Sequence, residues 1–142
     1  MGLAAVIDLT NELAVEAPVD AAAVARRVLA IDPPTIARLT DRDVPALMSL
    51  AHQLYPICER LHGGDVDGAA SLINELLARY SAHPHLASED GRWRIHHHPV
   101  DADVVAMWTA IAADAFARLV GNGHHERIGI CRAPGCGRVF HD

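Results

Sequence analysis

"GRWRIHHHPVDADVVAMW", residues 91–108, changes its hydrophobic period halfway along. Up to Pro99 the apolar residues alternate, and with "HLASED" before them two short extended runs flank Asp90 and Gly91, a turn-favouring pair. That stretch reads as a β-hairpin. Beyond Pro99 the spacing becomes three and four. Asp101 or Asp103 can cap a helix, and Val104, Trp108, Ile111, Ala112, Ala115, Phe116 and Leu119 mark one long buried face ending at "GNG", residues 121–123. Whether the sheet or the helix governs the fold is settled by what surrounds this switch.

Everything upstream reads as helix. Leu3, Val6, Ile7, Thr10, Leu13 and Ala14 form one stripe that Pro18 terminates. Asp20 caps a second helix carrying Ala21, Val24, Ala25, Val28 and Leu29, which stops at Asp32, Pro33 and Pro34 before a short turn or helical piece through Leu39. Thr40 and Asp43 make a capping-box pattern opening an amphipathic segment with Val44, Leu47, Ala51, Leu54, Cys58 and Leu61 inward. Pro56 within it predicts a kink or break near residues 52–56. After Gly63 and Gly64, the residues Ala69, Leu72, Ile73, Leu76, Leu77 and Tyr80 form the next helix. The hairpin is therefore an attachment to a helical bundle-like, mainly α domain.

Composition agrees. The 142 residues are 51% hydrophobic and only 4% aromatic, enough for one ordinary domain with a real core. The apolar runs read as too short to span a membrane, and the N-terminus lacks a basic region before its apolar stretch, so a cytoplasmic protein is expected. The net charge of −6, without a single lysine, argues against this chain alone coating nucleic acid. Three cysteines, one of them the isolated Cys58 on an apolar stripe, suit a reduced compartment better than a disulfide framework. Cys58 reads as a core filler.

The tail "RIGICRAPGCGRVFHD", residues 127–142, carries Cys131 and Cys136 in a C-x4-C spacing around Pro134, Gly135 and Gly137. Ile128, Ile130, Val139 and Phe140 alternate on either side, predicting strand, knuckle and strand. Zinc takes deprotonated thiolates at tetrahedral angles, and a glycine-bearing turn lets two of them converge. Two thiolates are half a structural site, and by spacing alone the pair also reads as two nearby free cysteines. His141, with His124 and His125, is the nearest source of a further ligand, although exposed imidazoles are the plainer reading. In "HHHP", residues 96–99, His96 and His98 share a strand face with Arg94, opposite Trp93, Ile95 and His97. That face reads as a pocket wall or as an exposed polar surface. Asn11 interrupts an apolar stripe and reads as pocket lining, as a tie between helix and hairpin, or as a surface residue.

The tail, with "ERIGI" before it, resembles the start of the CGNR zinc finger. The body resembles the ABATE domain that precedes that finger in stress-induced transcription regulators. The resemblance rests on "IDLTNELA" (7–14), "LTDRDVPAL" (39–47), "GRWRIHHHPVDADVVAMW" (91–108) and the tail, and touches most of the chain. It implies a helical, potentially ligand-binding domain over 1–126 and an incomplete zinc finger over 127–142. Cys131 and Cys136 match the first ligand pair, making zinc the implied cofactor with only a half-site here. Asp142 matches the aspartate that opens the finger's basic linker. The family's Arg-rich Ser-Arg-Asn segment and second cysteine pair are not in these residues, nor is the basic surface they would bring. A further departure is "SLAHQLYPICERL" (49–61), where the family usually shows a Leu-Arg-rich helix without proline.

The resulting expectation is a transcription regulator without catalytic activity, whose helical domain binds a small molecule through Asn11, Trp93, His96 and His98. Nucleic acid would be contacted through the missing part of the finger, with no membrane partner and with homodimerisation open. The competing reading is a small metal-dependent enzyme or metal-binding protein using the cysteine pair and a histidine. A pure dimerisation module is a third.

Overall fold

The computed structural model describes residues 2–80, 84–98 and 101–142. Pro99, which entered the hairpin reading, lies outside them. The first stripe forms α1 (Leu3–Thr10), and instead of ending it widens into a π-helical turn over Asn11–Val15, where the Glu16 N–H reaches the Asn11 carbonyl at 2.9 Å. An extra residue per turn rotates the face, so Thr10, Asn11 and Leu13 are all buried. The Thr10 hydroxyl satisfies itself on the Val6 carbonyl at 2.8 Å.

Helix α2 (Ala21–Leu29) is capped by Asp20, whose carboxylate accepts from the Ala23 N–H, and α3 (Pro33–Arg38) begins on its two prolines. The Thr40–Asp43 capping box forms, closing a short 3-10 turn that leads into α4 (Val44–His62). All six residues of the predicted inward stripe are buried there. No break occurs at Pro56: α4 is one helix of 19 residues. Proline removes one backbone hydrogen bond, but its neighbours Leu54, Ile57 and Cys58 are all buried, and tertiary packing of this kind outweighs the local loss.

Helix α5 (Val66–Arg79), capped by Asp65, precedes strands β1 (His85–Glu89) and β2 (Arg92–His96), which pair antiparallel with Glu89 opposite Arg92. Asp90 (φ 51°) and Gly91 (φ 73°) supply the left-handed pair that a two-residue hairpin needs. Helix α6 (Val104–Gly121), capped by Asp103, packs against α5, α1 and α4, with Trp108 and Phe116 fully buried. Among the described residues, α6 is the single helix long and apolar enough to cross a membrane by length and composition. With 56% of it buried inside the molecule, it also has the burial of a core helix.

Strands β3 (Ile128–Ile130) and β4 (Val139–His141) pair antiparallel on either side of the cysteine turn. β3 lies against α4 and β4 against α1. The Phe140 ring covers Gly129 so closely that a Cβ there would stand 2.2 Å from its edge. The protein is mainly helical, with two small antiparallel strand pairs among the described residues.

Candidate functional site: a pocket beside a two-cysteine knuckle

A cavity of about 950 Å³ opens between the hairpin, the start of α1, the α2–α3 turn and the exposed side of α6. That is the upper part of the range for small-molecule sites. Leu3, Ile31, Pro33, Ile111 and Leu119 provide its apolar lining. Two polar groupings face one another across it. On the hairpin side, the Glu89 carboxylate lies 2.8 Å from His96 Nε2, and His96 Nδ1 lies 3.2 Å from His98 Nε2. Glu89, His96 and His98 thus form one continuous polar chain. His85 stacks on His96 with ring centroids 5.5 Å apart. On the helix side, Asp114 holds the Arg118 guanidinium at 2.8 Å and faces His97 Nε2 at 3.8 Å.

Of the four residues read as ligand-binding, His96 and His98 line this pocket; Asn11 and Trp93 do not. Trp93 stands opposite Ser88 on the outward face of the hairpin and is 71% exposed, because alternation turns it away from His96. Asn11 is buried at the far end of the first helix. Its Nδ2 donates to the Val139 carbonyl and its Oδ1 accepts the Val139 N–H, both at 2.8 Å. The side chain thus replaces a third strand beside β4. The tie foreseen at Asn11 runs to the knuckle rather than to the hairpin.

The knuckle is fastened at further points. Tyr55 donates its hydroxyl to the Gly137 carbonyl at 3.0 Å, and Arg138 bridges Glu16 and Glu12 at 2.7 and 3.0 Å. Gly135 and Gly137 adopt φ of 74° and 68°, the left-handed backbone that folds the turn back. Within it the Cys131 N–H donates to the Arg138 carbonyl and the Cys136 N–H to the Ala133 carbonyl. The Ala133 N–H aimed at Cys131, followed by the neighbouring Cys136 thiol, holds the Cys131 thiol below its ordinary pKa. N–H groups pointing at sulfur in a tight turn are what a thiolate metal ligand requires, and the pair fits the first half of a zinc site. Among the described residues, no group of three His, Cys, Asp or Glu side chains is placed to hold a metal ion. Cys58 belongs to the core: fully buried, with its thiol pushed up to about 12 by that burial.

Sequence reasoning missed three contributors. Asp114 and Arg118 sit on the half-exposed side of α6, outside the buried face that the periodicity marks. Glu12, beside Asn11 in the first stripe, is an anchor of Arg138. His141, weighed as a metal ligand, lies in the pocket wall. No local pattern signals that placement, since it depends on β4 folding back across α1.

These features define a mainly helical domain whose pocket is closed on one side by a strand of a two-cysteine knuckle. Over residues 4–122 the chain matches the ABATE family, described as "Putative stress-induced transcription regulator", and it belongs to that family. A comparison with curated proteins finds no match.

Proposed function

We propose that this chain is the ligand-responsive part of a transcription regulator, with the pocket between hairpin and α6 as the small-molecule seat. The cysteine knuckle is the first half of a zinc finger, completed by two further thiolates from outside these residues, and it contacts nucleic acid once completed. Cys131 and Cys136 hold the metal in this reading, and the zinc supplies structural closure of the finger.

The observation that carries the reading is the shared wall. His141, on β4, lines the same cavity as His96, His98 and Ile111, while two residues earlier Val139 is held by Asn11. A ligand that fills the cavity bears directly on the strand that leaves the knuckle. The Arg138 charge is already engaged by Glu12 and Glu16, and the chain is acidic as a whole, so nucleic-acid affinity has to come with the completing segment.

The pocket is testable with an apolar probe, 1-anilinonaphthalene-8-sulfonate, which combines a flat apolar body with a sulfonate that Arg94 and Arg118 can meet at the rim. The expected result is saturable binding to one site, lost in Ile111→Trp, which projects an indole into the cavity from α6. Binding unchanged by Ile111→Trp would place the probe elsewhere and remove this seat.

A further inference from the structure

The hairpin also has an apolar outer face and an edge strand, β1. Its outer face exposes Leu86 (66%), Trp93 (71%) and Ile95 (58%), and a two-stranded hairpin with an apolar face is marginally stable by itself in water. Its closing pair, Glu89 with Arg92, is a hydrogen-bonded pair of a two-residue turn, and such pairs alternate along the ladder. Ala87 with Arg94 is then hydrogen-bonded as well, and Leu86 and Ser88 direct their backbone N–H and C=O groups away from β2. Among the described residues, neither makes a backbone hydrogen bond to another element. The free edge of β1 also lacks the usual guards: there is no lysine, no internal proline and no bulge in the five-residue register.

We infer that the β1 edge pairs antiparallel with β1 of a second copy of this chain, about a two-fold axis through Ala87, giving a four-stranded sheet. In that register Leu86 of each copy pairs with Ser88 of the other, so the unused backbone groups of both residues are satisfied reciprocally. The small Ala87 meets its own counterpart at a non-hydrogen-bonded position, where strands approach closest. His85 falls opposite Glu89 of the other copy, so no like charges meet across this edge. The β2 edge does not offer this: the equivalent pairing about Arg94 sets two arginines directly against each other, and like charges there are destabilising. Charge therefore selects β1 with β1. The outward apolar residues of the two hairpins become one face, with Leu86 of each copy diagonal to the other and within reach.

Sedimentation across a dilution series gives the test. The wild-type chain is expected at twice its 15.3 kDa mass, and Ser88→Pro, which removes an outward N–H without touching the β1–β2 ladder, at 15.3 kDa. Ala87→Cys, treated with oxidised glutathione, is expected to form a disulfide-linked dimer that the wild-type chain does not, since facing positions of this kind satisfy disulfide geometry. The cross-link remains informative if Ser88→Pro fails to fold. A monomeric wild-type chain, a dimer without the Ala87→Cys cross-link, or open-ended assemblies from β1-on-β2 stacking would each overturn the proposal.

Discussion

Asn11 does with one side chain what a strand does with its backbone: it gives Val139 both an acceptor and a donor at 2.8 Å. Asn11→Ala leaves two backbone groups of a buried residue without partners. The expected cost is about 2–4 kcal/mol in urea unfolding, with faster hydrogen exchange at the Val139 amide. An unchanged Val139 exchange rate would show that the knuckle does not depend on this side chain. The cysteines divide by environment in the same way. Cys131 and Cys136 should react with a thiol reagent in the native protein, and Cys58 only after unfolding, because burial holds its thiol near 12. Three thiols labelled at equal rates would contradict this. The sequence reading placed Cys58 correctly because its position on an apolar stripe is a local property. It left Asn11 between three roles because the choice depends on a residue 128 positions away.

At the scale of elements, the caps were legible and the faces less so. Asp20, Asp103 and the Thr40–Asp43 box sit at the ends their chemistry dictates, since capping needs only neighbouring residues. The π-helical turn after Thr10 was not legible, and it alone sets which way Asn11 points. The uninterrupted α4 shows the same balance, with packing overriding the local cost of Pro56. In the cysteine knuckle, the contact of Gly129 with Phe140 is a cross-strand pair in which glycine is needed for space rather than for backbone freedom. Gly129→Ala is expected to destabilise the protein by about 1–3 kcal/mol, and by much less when Phe140 is already alanine. A cost independent of residue 140 would indicate a different origin.

For the whole molecule, the helical core was readable because periodicity and burial coincide along most of the chain. The pocket was half readable: alternation pairs His96 with His98, and both line it, although β2 ends at His96. Its other walls come from α1, the α2–α3 turn, α6 and β4, which only the fold assembles. That assembly is the basis of the proposed function, since the pocket wall and the two-cysteine knuckle have β4 in common. Under that proposal, binding at the pocket and at the knuckle would be coupled reciprocally.

The most direct measurement is an amide NMR titration of the isotope-labelled chain with 1-anilinonaphthalene-8-sulfonate. The Val139 and His141 amides are expected to shift along the same saturation curve as His96 and Ile111, and the Val139, His141 and His96 amides to stay in place in Ile111→Trp. Saturable binding that moves His96 and Ile111 while leaving Val139 and His141 unshifted would contradict it.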